Sequence, residues 1–173
     1  MTIGIDFDNT IVDTKATSKK YLDIFMPGNN LDSYHDLEYD DALEFSKKYF
    51  IEITNNLNLF PYVKESFEYF KENNIKTVLI TARGYDYEYL IEPTKRFLER
   101  NNIIFDVLEF NCPKKLEACK RNNVDIMIDD TLGVLENVKS EGVKGILYGK
   151  NDPNFISVNN WKEVLDYIKG GLK

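Results

Sequence analysis

Short apolar runs set against helical spacing constrain this chain more than any other feature. Ile3–Phe7, Thr77–Ile80, Phe105–Phe110, Asp125–Ile128 and Gly145–Tyr148 are brief and apolar, many of their residues β-branched or aromatic, as buried strands are. Between the later runs, apolar residues recur at helical intervals: Val63, Phe67 and Phe70; Leu132, Leu135 and Val138; Trp161, Val164, Leu165 and Ile168. Strand and helix in alternation predict a parallel sheet covered on both faces. In such sheets the ligand crevice lies beyond the carboxyl ends of the strands. The notable polar residues fall there: Asp6 and Asp8 after the first run, Thr81 after the second, Asp129 and Asp130 after the fourth.

The expected fold is therefore α/β, a Rossmann-like three-layer αβα core around a five-stranded, mostly parallel sheet. Residues 14–60 break the alternation. They carry a helix-like segment around Tyr21, Leu22 and Phe25, a Pro27-Gly28-Asn29-Asn30 turn, an irregular acidic stretch, and a second helix with Phe45, Tyr49 and Ile53 at four-residue spacing. This predicts a small helical cap inserted after the first strand, with the core formed by residues 1–13 and 61–173. Further on, Pro93 predicts a helix that starts near it, because proline suits a first turn and not a helix interior. The stretch before it, with Tyr85, Tyr87 and Tyr89, reads as a loop.

A chain of 173 residues can bury one sizeable core. Its formal net charge of −7 argues against stable nucleic-acid binding, which depends on neutralising many phosphates. A small anion needs only a few local cations and is compatible with that charge. No apolar run approaches the roughly 20 residues that span a bilayer. No basic stretch precedes an apolar one at the start, and the first strand begins almost at Met1, leaving no room for a leader. Cys112 and Cys119 match neither a disulfide framework nor a zinc pair. A cytoplasmic protein, monomeric or homodimeric, is the expectation. His35, the lone histidine, reads as a surface residue.

The first run carries the chemistry. Alternate strand residues share a face, so Asp6 and Asp8 should leave the strand end close together. Each disfavours ionisation of the other, and a chain that builds such a pair beside its core has a cation or a proton to share there. Attack on a phosphate suits the pair, with one Asp as nucleophile and the other as proton carrier. Asp8, beside another carboxylate, is expected to have a raised pKa. Asp13 reads as the cap of the following helix. Thr10 reads as a turn residue that holds the chain after the strand.

In chain order, Asp6-x-Asp8-x-Thr10, Thr81, Lys115 and Asp129-Asp130 resemble the motifs of the haloacid dehalogenase (HAD) superfamily, across nearly the whole chain. The resemblance implies a Mg²⁺-dependent phosphotransferase. Asp6 would be the nucleophile that becomes an aspartyl-phosphate. Asp8 would be general acid, then general base. Mg²⁺ would be held by Asp6, Asp129 and the Asp8 backbone carbonyl, with Asp130 ligating through water or orienting Lys115. Thr81 would bond the phosphate, and Lys115 would offset the charge of Asp6 and phosphate. Lys115 is favoured over the adjacent Lys114 by its distance from the acidic pair.

The closer resemblance is to the 5′(3′)-deoxyribonucleotidases and their bacterial and phage relatives, on a small helical cap, Thr81-Ala82-Arg83, Lys115 and Ile128-Asp129-Asp130. It implies a hydrolase of deoxyribonucleoside monophosphates, with Thr81, Ala82, Arg83 and Lys115 binding the substrate. The cap's many aromatics, among them Tyr21, Phe25, Tyr34, Tyr39, Phe45, Tyr49, Phe50 and Phe60, could stack on a base or simply pack. A phosphatase of another small metabolite, such as a sugar phosphate, and a non-catalytic phosphate-binding relative are the alternatives. A signalling receiver domain is excluded by motif order. A dinucleotide-binding fold is excluded by the lack of Gly-x-Gly-x-x-Gly.

Overall fold

In the computed structural model, which describes residues 1–171, six parallel strands form one sheet. They are β1 (Thr2–Ile5), β2 (Lys76–Ile80), β3 (Val107–Glu109), β4 (Ile126–Asp129), β5 (Lys144–Tyr148) and β6 (Ile156–Val158), in the order β3-β2-β1-β4-β5-β6. The expected sheet lacked β6. That strand has only three residues, half-exposed at Ile156 and Ser157, too few to show a period. The third strand is shorter than Phe105–Phe110. Asp106 lies just before the strand; its amide donates to the Thr77 carbonyl at 3.0 Å and its Oδ2 accepts from the Thr77 amide at 2.7 Å.

Strand residues alternate between two apolar layers, as the pleat requires. Leu79, Ile126, Ile128 and Ile146 face one cluster, with α3 (Val63–Glu72), α4 (Ile91–Arg100) and α7 (Trp161–Gly171). Val78, Ile80, Met127 and Leu147 face the other, with α5 (Leu116–Arg121) and α6 (Leu132–Lys139). Gly4 permits the close contact on this second face. A Cβ there would lie 2.8 Å from Met127 Sδ and 3.1 Å from both Ile80 Cδ1 and Val124 Cγ1. Helix α4 begins two residues before Pro93, so proline falls in the first turn, where its missing N–H has no helical partner to lose.

Between β1 and β2 the chain forms α1 (Thr14–Phe25), a 3-10 turn at Tyr34–Asp36, and α2 (Tyr39–Asn55). Asp13 caps α1, its Oδ1 accepting from the Ala16 amide at 2.9 Å. The two helices pack through aromatics, Phe25 on Phe45 and Tyr21 on Tyr49. No helix among the described residues is long and apolar enough to cross a membrane.

Trp161 ties α7 to the segment that follows β1. It is fully buried, and its Nε1 donates to the Thr10 carbonyl at 2.7 Å. Trp161→Phe would leave that buried carbonyl without a partner and should cost roughly 1–3 kcal/mol. Urea unfolding measures it, and a loss below about 0.5 kcal/mol would contradict the contact.

Candidate active site

β1 is central, flanked by β2 and β4, with Ile5 level with Leu79 on one side and Ile128 on the other. Side chains leaving the ends of these three strands therefore emerge side by side. The Asp6 amide continues the ladder, donating to the Ile128 carbonyl at 3.0 Å. The chain then turns sharply. The Ile11 amide donates to the Phe7 carbonyl at 3.1 Å, and Asn9 takes a left-handed φ of 54°, which asparagine tolerates better than most residues.

Asp6 and Asp129 are buried, and Lys115 lies between them. Its Nζ donates to Asp6 Oδ1 and, at 2.7 Å, to Asp129 Oδ2. Lys115 immediately precedes α5 and is itself buried, whereas Lys114 is exposed. Asp129 also accepts from the Thr131 amide at 2.8 Å, and Thr10 Oγ1 donates to Asp6 Oδ2 at 3.3 Å. Thus Thr10 reaches the cluster itself, beyond the turn-holding role expected of it. One carboxylate oxygen each from Asp6, Asp129 and Asp130 lie within 4.8 Å of one another. Asp130 is the more open of the three and pairs with Lys150 at 3.5 Å. Thr81 is buried beside this cluster's strand ends, its amide bonded to the Glu109 carbonyl at 3.0 Å.

The charges do not balance locally. Burial raises the Asp6 pKa, Asp129 and Asp8 raise it further, and the attraction of Lys115 only partly opposes them. Burial also raises Asp130, with Asp129 adding to it. Burial alone would lower Lys115, but Asp6 and Asp129 hold its pKa above the ordinary lysine value. Two ammonium groups, the buried Lys115 and the exposed Lys150, thus serve three close carboxylates. Hard oxygen donors in negative excess, with no nitrogen or sulfur donor among them, suit Mg²⁺.

Asp8 is arranged differently from the expectation. Burial acts to raise its pKa, but the charge and hydrogen bonds of Arg83, helped by Thr14, outweigh burial and hold it below the usual carboxylate value. Arg83 grips both oxygens, Nε on Oδ2 at 2.8 Å and Nη2 on Oδ1 at 2.7 Å. The reading of Asp8 as a carboxyl raised by Asp6 failed because it could not include a cation 75 residues away. Arg83 Nη1 in turn reaches Thr54 at 2.9 Å and Thr94 at 3.0 Å. Neither threonine stood out in the sequence. Thr54 lies in a helical apolar pattern and Thr94 follows a proline, and neither setting signals a polar contact.

A cavity of about 540 Å³ opens between the α1–α2 segment and the strand ends. Asp8, Ala82 and Arg83 line it, with the aromatic side chains of Tyr34, Phe50 and Tyr87. Burial, with the Asp8 charge, raises the Tyr34 pKa. His35 is exposed as expected but also lines this cavity, its ring tilted by 35° against Tyr34 with centroids 4.0 Å apart.

No protein-family model matches the chain, and no curated protein matches its sequence. Solved structures do match its fold. A haloacid dehalogenase-like family hydrolase from Streptococcus pneumoniae superposes with a TM-score of 0.70 at 15% identity, over 96% of this chain and 97% of that one. A HAD-superfamily hydrolase from Ehrlichia chaffeensis gives 0.64 at 18% identity, over 99% and 97%. CbbY from Rhodobacter sphaeroides, crystallised with xylulose-1,5-bisphosphate, gives 0.66 at 13% identity, over 94% and 95%. The chain has the Rossmann-like α/β fold of the HAD hydrolases.

Proposed function

We propose that this chain is a Mg²⁺-dependent phosphomonoester hydrolase that works through an aspartyl-phosphate on Asp6. The observation that carries the reading is Lys115 bonded to both Asp6 and Asp129, with Asp130 alongside. Asp6, Asp129 and Asp130 would hold Mg²⁺, with the Asp8 backbone carbonyl as a further ligand. The ion would supply charge neutralisation for the phosphoryl group. An Asp6 oxygen attacks phosphorus, the bond to the leaving oxygen breaks, and Asp8 gives that oxygen a proton. Water then attacks the phosphoryl group, Asp8 takes its proton, and the Asp6 carboxylate is released with inorganic phosphate. The pair with Arg83 favours the ionised form of Asp8, so Asp8 must take up a proton before it can give one. Thr81 would hold a phosphoryl oxygen, and Lys115 would offset charge on Asp6 and the phosphate.

Residues 14–60 act as a cap, and the substrate class we favour is the deoxyribonucleoside monophosphates. The cavity supports this, since Tyr34, Phe50 and Tyr87 are flat apolar faces within one space that Asp8 also borders. Stacking on such faces is worth about 1–3 kcal/mol per base, or about 5- to 150-fold in kcat/KM. A sugar phosphate is the second reading, favoured by the ligand in the CbbY structure. The free cysteines, Cys112 and Cys119, suit a cytoplasmic setting. A panel of nucleoside and sugar monophosphates, with and without Mg²⁺, separates the readings. Nucleotides should be preferred by at least about fivefold. Equal or better turnover of sugar phosphates would move the assignment to the second reading. No hydrolysis of any monoester by folded protein with Mg²⁺ would end both.

A further inference from the structure

Arg83 is the most heavily committed charged side chain among the described residues, and its commitments define its role. A guanidinium has five N–H groups. Nε and Nη2 each give one to Asp8, and Nη1 reaches both Thr54 and Thr94. The two threonine hydroxyls have spent their own protons. Thr54 Oγ1 donates to the Phe50 carbonyl at 2.8 Å and Thr94 Oγ1 to the Leu90 carbonyl at 2.7 Å. Toward Arg83 they can only accept. Both Nη1 hydrogens therefore have fixed acceptors, and a single N–H on Nη2 is left over. The guanidinium carbon also lies over the Phe7 ring, 4.5 Å from the ring centroid. The side chain is 7% exposed. A phosphate arriving at the site would find one donor, not a fork.

We propose that Arg83 is a positioning residue for Asp8 and not a phosphate ligand, an inference that rests on the phosphatase reading above. The two parallel bonds set the plane and direction of the Asp8 carboxylate, as forked pairs do. Thr14 Oγ1 adds a bond to the same Oδ1. Thr54 belongs to α2 and Thr94 to α4, so the guanidinium keys the proton-transfer group to a cap helix on one side and a core helix on the other. Replacing Arg83 frees Asp8 to rotate and leaves both threonine oxygens without their donor.

A series of phosphomonoesters distinguishes positioning from phosphate binding. It runs from 4-nitrophenyl phosphate, whose leaving group needs no proton, to simple alkyl phosphates, whose leaving group does. Because kcat/KM reports events up to departure of the alcohol, it isolates the proton given by Asp8. Arg83→Gln should lower kcat/KM for alkyl esters by on the order of 10²-fold or more, the usual worth of a placed general acid, and change 4-nitrophenyl phosphate far less. Its dependence on leaving-group pKa should steepen toward that of Asp8→Asn. Arg83→Lys should not rescue it, because an ammonium cannot make the fork. Should either Arg83 variant fail to fold, Thr54→Val, which removes one acceptor of Nη1, should steepen the same plot to a lesser degree. An equal loss for every leaving group would identify a phosphate ligand and overturn the proposal, as would no change in slope for Arg83→Gln or, if that fails to fold, for Thr54→Val. Wild-type protein that hydrolyses none of the series fails on the phosphatase reading itself, a result distinct from an unchanged slope.

Discussion

Asp6→Asn should lower turnover of any accepted monoester by on the order of 10⁵-fold, because the amide cannot attack phosphorus and no neighbour can replace it. Asp8 is held by Arg83, while Asp129 is held by Lys115 and the Thr131 amide. Asn is nearly the same shape as Asp, and it removes one charge from a cluster in which burial and like charges already raise the Asp6 pKa. The variant should therefore fold with stability close to wild type and still bind phosphate. Acid-quench trapping with radiolabelled substrate should find a covalent phosphoryl group on the wild type and none on the variant. Activity within about tenfold of wild type would remove Asp6 as nucleophile, whatever the metal content.

Lys115→Met should have the largest effect on stability. Lys115 is 6% exposed and bridges two buried carboxylates, so its removal strands Asp6 and Asp129 together. Breaking such a buried arrangement costs about 3–5 kcal/mol. The sign of the pH dependence follows from Asp6. Its folded pKa is raised above the ordinary 3.8, so the folded state binds that proton more tightly than the unfolded chain. Its ionisation works against folding increasingly as pH rises above 3.8 toward the folded value, and the loss of Lys115 moves that value higher still. The deficit of the variant should thus grow from acid toward neutral pH. Mg²⁺ should return part of it, rising with concentration as any ligand of the folded state does. Urea melts across pH, with EDTA or with Mg²⁺, measure both effects. A deficit below about 1 kcal/mol at neutral pH would contradict the buried bridge. A deficit that Mg²⁺ leaves unchanged would contradict the ion site.

Much of the architecture was legible because it depends on local periods. Period-two runs such as Ile3–Phe7 and helical spacings such as Trp161, Val164 and Ile168 repeat within a few residues, so the parallel sheet could be expected without any long-range contact. β6 escaped because three residues show no period, and β3 was overestimated because Phe105 and Phe110 are apolar but lie outside the ladder. The convergence of Asp6, Asp129 and Asp130 could be anticipated for a related reason, since each follows or ends a strand, and adjacent parallel strands deliver their ends to one crevice.

The sequence by itself determined which chemistry-bearing residues stand at strand ends, because strand direction and alternation depend on near neighbours. Only the tertiary structure decided what Asp8 faces. The resemblance had already set Lys115 against Asp6, but Asp8 received a guanidinium that answers also to Thr54 and Thr94. Charge and hydrogen bonding act through space over a few ångströms, and residues at that distance lie tens of positions apart along the chain. Two aspartates two positions apart therefore end with pKa values moved in opposite directions.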